Sequence, residues 1–169
     1  MKVFPIIASA NSRLQADIIL IRLRRANISC LKISVLYPTD SIPNGVGCWL
    51  PVADTAELRA SGHKVTRAGQ IRRQKLDSTE AHDDGREIIQ ILSQAGMDLH
   101  GAQILAERLS EGHILLGVHA TSEEERSIVW HILHHSCSDT IVVGQGGDHA
   151  AGRLEAEFSS GESGATVAA

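Results

Sequence analysis

The chain has 169 residues, 43% of them hydrophobic but only 3% aromatic, and a formal net charge of -4. That length supports one well-packed domain, and with so few rings its core must be built from Ile, Leu, Val and Ala. The same features argue against a base-stacking nucleic-acid platform and against global steering toward polyanions.

The apolar part of Met1 to Ile7 is too short for a secretory signal. The longest apolar stretch, Ile18 to Leu23, falls far below the ~20 residues a spanning helix needs. Cys30, Cys48 and Cys137 form neither a CxxC pair nor an even disulfide set, which fits a reducing compartment. The expectation is a soluble cytoplasmic protein with no transmembrane segment.

Val3 to Ser9 reads as a buried strand. Ser12 with Gln15 makes a capping box, and the helix that follows runs to about Ala26. It carries Leu14, Ile18 and Ile21 as well as Ile19, Leu20 and Leu23, a broad apolar arc. Arg22, Arg24 and Arg25 offset the dipole at its end, and Asn27-Ile28 has the character of a left-handed cap. Leu31 to Tyr37 alternates as a half-buried strand.

The stretch after Met97 repeats this order. A helix from Asp98 to Glu111 is closed by Gly112, and His113 to His119 is a continuous apolar strand. Thr121-Ser122, with Glu124 and Glu125 following, opens a helix over Ser122 to His135. Ser138-Asp139 then turns into a strand over Thr140 to Gly144.

Two β-α-β halves predict an α+β fold, a ferredoxin-like β-α-β-β-α-β sandwich with both long helices on one face of a four-stranded antiparallel sheet. Residues 1-38 plus 95-145 make that domain, 39-94 form a long, partly helical insert between the second and third strands, and 146-169 form a disordered tail.

Within the insert, Pro38 to Pro51 is turn-rich, with Trp49 as its apolar anchor. Thr55 to Lys75 shows weak helical periodicity. Asp83 to Ala95 is an amphipathic helix with a stop at Gly96-Met97. The open sheet face calls for a cover, either a second copy, making a homo-oligomer, or the insert helix near Ile88 to Leu92.

Ile33-Ser34-Val35-Leu36-Tyr37-Pro38 after an amphipathic helix, and Glu111-Gly112-His113-Ile114-Leu115-Leu116-Gly117-Val118-His119 after Ala95-Gly96-Met97, resemble an uncharacterised bacterial general-stress-protein family related to heat-induced stress proteins. In that family an "ISVLxP" strand precedes a glycine-zipper hairpin and an "EGxxLxxVH" strand follows it. The resemblance covers residues 3-38 and 95-144. The polar, basic middle of this chain departs from the family's Gly/Ala-rich segment. What the resemblance implies is the fold and a stress-response accessory role.

Among candidate sites, His119 shares the family's strand motif and is the candidate ligand-binding residue. His131 and His135, at i and i+4 with Cys137 just beyond, have metal-ligand spacing, to be completed by His119 or His100. The bland reading is a solvated helix end where His134 and His135 meet the dipole. Cys30 and Cys137 read as small hydrophobes rather than catalytic thiols. Gly144 to Gly147 reads as a flexible exit rather than a phosphate loop.

Arg59, Lys64, Arg67, Arg72, Arg73 and Lys75 form a basic run that offers contacts to nucleic acid or an anionic surface, against the bland reading of a solvated face. No acid and base residues pair as catalysts. The expected function is that of a non-enzymatic stress-response-type accessory protein without a cofactor, acting by self-association or protein binding. The alternative is a ligand- or metal-binding regulatory module using the sheet face and His119.

Overall fold

The structure, a computed structural model, describes residues 4–42, 55–60, 63–69, 86–136, 138 and 140–145. Trp49, Arg72, Arg73, Lys75, Cys137 and the tail after residue 145 lie outside the described residues, as do the expectations attached to them. In chain order the elements are β1 (Phe4–Ala10), α1 (Arg13–Arg25), β2 (Ile33–Pro38), β3 (Thr55–Ala60), β4 (His63–Gly69), α2 (Arg86–Gln94), α3 (Leu99–Ser110), β5 (Ile114–Ala120), α4 (Glu123–His135) and β6 (Ile141–Val143).

Helix boundaries follow local chemistry. Ser12 and Ser122 each accept the backbone N–H three residues on, from Gln15 at 3.2 Å and Glu125 at 3.1 Å. The side chains of those same residues reach back to the backbone N–H groups of Asn11 and Thr121, at 2.8 and 2.7 Å. Two otherwise unsatisfied donors are thereby met at each helix start.

Three helices end in the same way. Asn27, Gly96 and Gly112 adopt positive φ. The N–H groups of Ile28, Met97 and His113 return to the carbonyls of Leu23, Leu92 and Arg108 at 3.0, 3.1 and 3.0 Å, the Schellman arrangement.

The fold is α+β, with four helices and an antiparallel sheet among the described residues. The strand order is β3-β4-β2-β5-β1-β6, six strands where the two β-α-β halves imply four. The additional pair comes from the insert. Thr55–Gly69, with its weak helical periodicity, forms a hairpin in which Ala60 pairs with His63, and β4 then pairs with β2, Leu36 opposite Arg67.

The physical reason is the edge of β2. With β5 on one side, its other backbone edge needs a partner, and Val65 to Gly69 supplies one.

Strand alternation divides the buried side chains into two cores. Ile6, Ala8, Ile33, Val35, Ile114, Leu116 and Val118 pack with Ala16, Ile19, Leu20 and Leu23 of α1 and Val129 and Leu133 of α4. Ile7, Leu36, Leu115 and Val142 point the other way, against Ile88, Ile91 and Leu92 of α2 and Ala102, Leu105 and Leu109 of α3. The sheet face expected to be open is therefore covered from within the chain, by the insert helix together with α3. A second copy is not needed there.

Close packing ties this second layer to the edge of the sheet. A Cβ on Gly101 would lie 2.5 Å from Val142 Cγ1 and 2.7 Å from Asp98 Oδ1, so α3 approaches β6 as closely as only glycine permits. Gly144 is similarly enclosed by Pro5, Gly96 and Met97, each within 2.6 Å of such a Cβ. Its N–H bonds to the Pro5 carbonyl at 2.7 Å, and Gln145 N–H bonds to the Gly96 carbonyl at 2.8 Å. Gly144-Gln145 is thus a packed junction and not the flexible exit its composition implies. No helix among the described residues is long and apolar enough to cross a membrane.

Candidate functional site

His119 lies near the end of β5, in register with Pro5 of β1. Its position has the parity of Leu115 and Gly117, which places it on the face covered by α2 and α3. Its Nε2 is 3.5 Å from the hydroxyl of fully buried Ser34, a long contact at the limit for a hydrogen bond. Burial holds the imidazole pKa below the ordinary histidine value. His119 is therefore a half-buried ring near the end of β5, on the sheet face that carries the second core.

The strongest polar constellation is elsewhere. Lys32, before β2, donates to both oxygens of Glu125 at 2.7 and 2.9 Å and to Thr121 Oγ1 at 3.0 Å. Glu125 also accepts from the Thr121 hydroxyl at 2.9 Å, in addition to its backbone N–H. Partial burial pushes the Glu125 carboxyl pKa up. The Lys32 hydrogen bonds, those from Thr121 and the ammonium charge outweigh it, so the net shift is downward. The cluster clamps the start of α4 to the start of β2, and Glu125 spends its acceptor capacity inside the fold.

The histidines of α4 are arranged as a surface. His131, His134 and His135 are exposed, and the His131 and His135 rings stack at 6.1 Å, 10° from parallel. Their proposed completing ligands are on the wrong side. His119 belongs to the α2–α3 face of the sheet and His100 to α3, whereas α4 packs on the opposite face. Among the described residues no three His, Cys, Asp or Glu side chains are grouped to hold a metal ion, and Cys137 lies outside them.

His134 and His135 sit exposed in the last turn of α4, and α1 adds donors to the carbonyls there. Arg22 donates to the His135 carbonyl at 2.8 Å and to Ser136 Oγ at 3.1 Å, and Gln15 Nε2 donates to the Ser136 carbonyl at 3.1 Å.

Of the basic run, Arg59, Lys64 and Arg67 fall on the hairpin, Arg59 registered opposite Lys64 and Arg67 opposite Ala56.

Ala16, Ile19, Leu20 and Leu23 of α1 face the sheet, leaving Leu14, Ile18 and Ile21 on the crest opposite, 69%, 39% and 51% exposed. Ile128 of α4 is 39% exposed. Between the end of α1 and the start of α4 opens a cleft of about 260 Å³ lined by Asn27, Thr121, Ser122, Glu124 and Ile128. α1 thus carries apolar residues at i, i+4 and i+7 on its outer side as well as on the side that meets the sheet. The signal for this site was the breadth of the apolar arc.

No family model matches the chain, and no curated protein and no solved structure matches it either.

Proposed function

We propose that the chain is a non-enzymatic protein-binding module whose docking element is the outer crest of α1. The observation that carries this reading is the exposed Leu14, Ile18 and Ile21 stripe on a helix whose inner face is already satisfied. A surface helix that served only the fold would carry polar residues there.

Support for a ferredoxin-like unit within the larger sheet comes from the neighbour order β2-β5-β1-β6, its antiparallel pairing, and α1 and α4 on one face. In this reading the β3-β4 hairpin and α2 are additions to that unit. The stress-response accessory role rests on the family resemblance of the β2 and β5 strands. The alternative of ligand capture on the sheet face beside His119 is weaker, because Ile88, Ile91, Leu92 and Leu105 fill that face.

The test is the triple variant Leu14→Ser, Ile18→Ser, Ile21→Ser. It should keep the melting temperature of the parent within a few degrees, and in cell extract the tagged protein should shift on size exclusion from complexes to the free chain. An unchanged elution profile would overturn the proposal.

A further inference from the structure

We infer that the occupant of the α1 crest is a second copy of this chain, docked helix layer to helix layer so that α1 lies over the partner's α4. This rests on the reading of that crest as a docking surface.

The geometry begins with the two helices of one copy. Gln15, near the start of α1, bonds to Ser136 beyond the end of α4, while Ala26 to Ile28 share the cleft with Thr121 to Glu125 at the start of α4. The helices are therefore antiparallel, with Arg25 and Glu124 at the same end of the layer. Both side chains are exposed, and neither has an ion-pair partner among the described residues. Helical spacing puts Arg25 on the crest with Leu14, Ile18 and Ile21, and Glu124 on the outer side of α4.

Two such layers can be stacked about a two-fold axis in only two simple ways. An axis perpendicular to the helices sets α1 on the partner's α1 in reverse, bringing Arg25 against the partner's Leu14 with no counter-charge on the crest opposite it. An axis parallel to the helices sets α1 over the partner's α4 with matching ends. Arg25 then meets the partner's Glu124, twice by symmetry, and Ile18 and Ile21 meet the partner's Ile128. Charge selects the second arrangement. Two 13-residue helices, each about 20 Å long, make a small layer. The dimer is accordingly expected in the micromolar range and not tighter.

Sedimentation velocity across a dilution series of the full chain reads this directly. The parent should move from dimer to monomer on dilution. Arg25→Glu and Glu124→Arg should each weaken the dimer about tenfold, equal to ~1.4 kcal/mol, and the double variant should recover parental affinity. Each reversal opposes the dipole at its own helix end, so the comparison is made at a temperature where every variant is fully folded, and recovery in the double variant cannot come from helix stability.

A dimer that is lost in Ile18→Glu but indifferent to both charge reversals would overturn this arrangement and leave the docking surface standing. A parent that stays monomeric at the highest concentration, while its complexes in extract still depend on Leu14, Ile18 and Ile21, would overturn the second copy as occupant. A monomer with no such dependence would overturn both.

Discussion

The two helical layers do the same work on their inner sides and different work on their outer sides. α2 and α3 close one face of the sheet and present Gln90, Ser93, Gln94, Gln103, Glu107 and Ser110 to solvent, with Leu99 the exposed apolar exception. α1 and α4 close the other face, yet α1 keeps Leu14, Ile18 and Ile21 outside. A layer that serves only folding ends in a polar surface. The contrast is between an outer surface that is polar and one that keeps an apolar stripe, and the proposed docking role rests on that stripe.

Neighbouring isoleucines sharpen that contrast most. Ile19 is fully buried and Ile18 is on the crest. Ile19→Ala should cost about 2–5 kcal/mol in denaturant unfolding, whereas Ile18→Ala should stay within about 0.5 kcal/mol. Equal losses would mean that both faces of α1 belong to the core.

On the opposite layer, Gly101→Ala sets a helix-propensity gain of about 1 kcal/mol against a clash with Val142 and Asp98. Overpacking costs about 1–3 kcal/mol, so a net loss is expected in thermal melts despite alanine being the better helix former. A stabilised variant would show that α3 can retreat from β6.

Glu125→Gln should destabilise by about 1 kcal/mol, a value limited by partial solvent screening of the pair. Because the folded pKa of Glu125 is lowered, its contribution is present above the ordinary carboxylate pKa and is lost as pH falls through the folded value. The gap between parent and variant should therefore close on acidification.

The smallest effect concerns His119. Its folded pKa is also lowered, so the unfolded chain takes up the proton first. Stability from the neutral ring is complete above the ordinary histidine pKa and declines as pH falls from there toward the folded value. His119→Gln should flatten that part of the stability profile, and an unaltered slope would show that the ring titrates freely.

Much of the fold was legible where the signals were local. Ser12, Ser122, Asn27, Gly96 and Gly112 marked helix ends because capping chemistry needs only neighbouring residues. The β3-β4 hairpin was only partly legible: Ala56, Leu58 and Ala60 alternate with polar residues along β3, but β4 has no such pattern and is held by pairing with β3 and the edge of β2. The second layer was half legible: α2 was expected as a possible cover, but nothing local to Leu99–Ser110 told which sheet face it would take.

The candidate site was hidden in plain composition. Ala16 makes the inner arc of α1 look no more apolar than the outer one, so the division between Ile19 and Ile18 emerges only from packing. His119 and His100 do not join His131 and His135 for a similar reason, since spacing along α4 says nothing of which sheet face holds them.

The most direct test of α1 as a docking element compares its crest with the polar layer. A photo-reactive phenylalanine analogue is placed in cells at position 18 and, separately, at position 103, both exposed. The account predicts discrete protein adducts from position 18 and only background from position 103; background from both, or equal adducts from both, would contradict it.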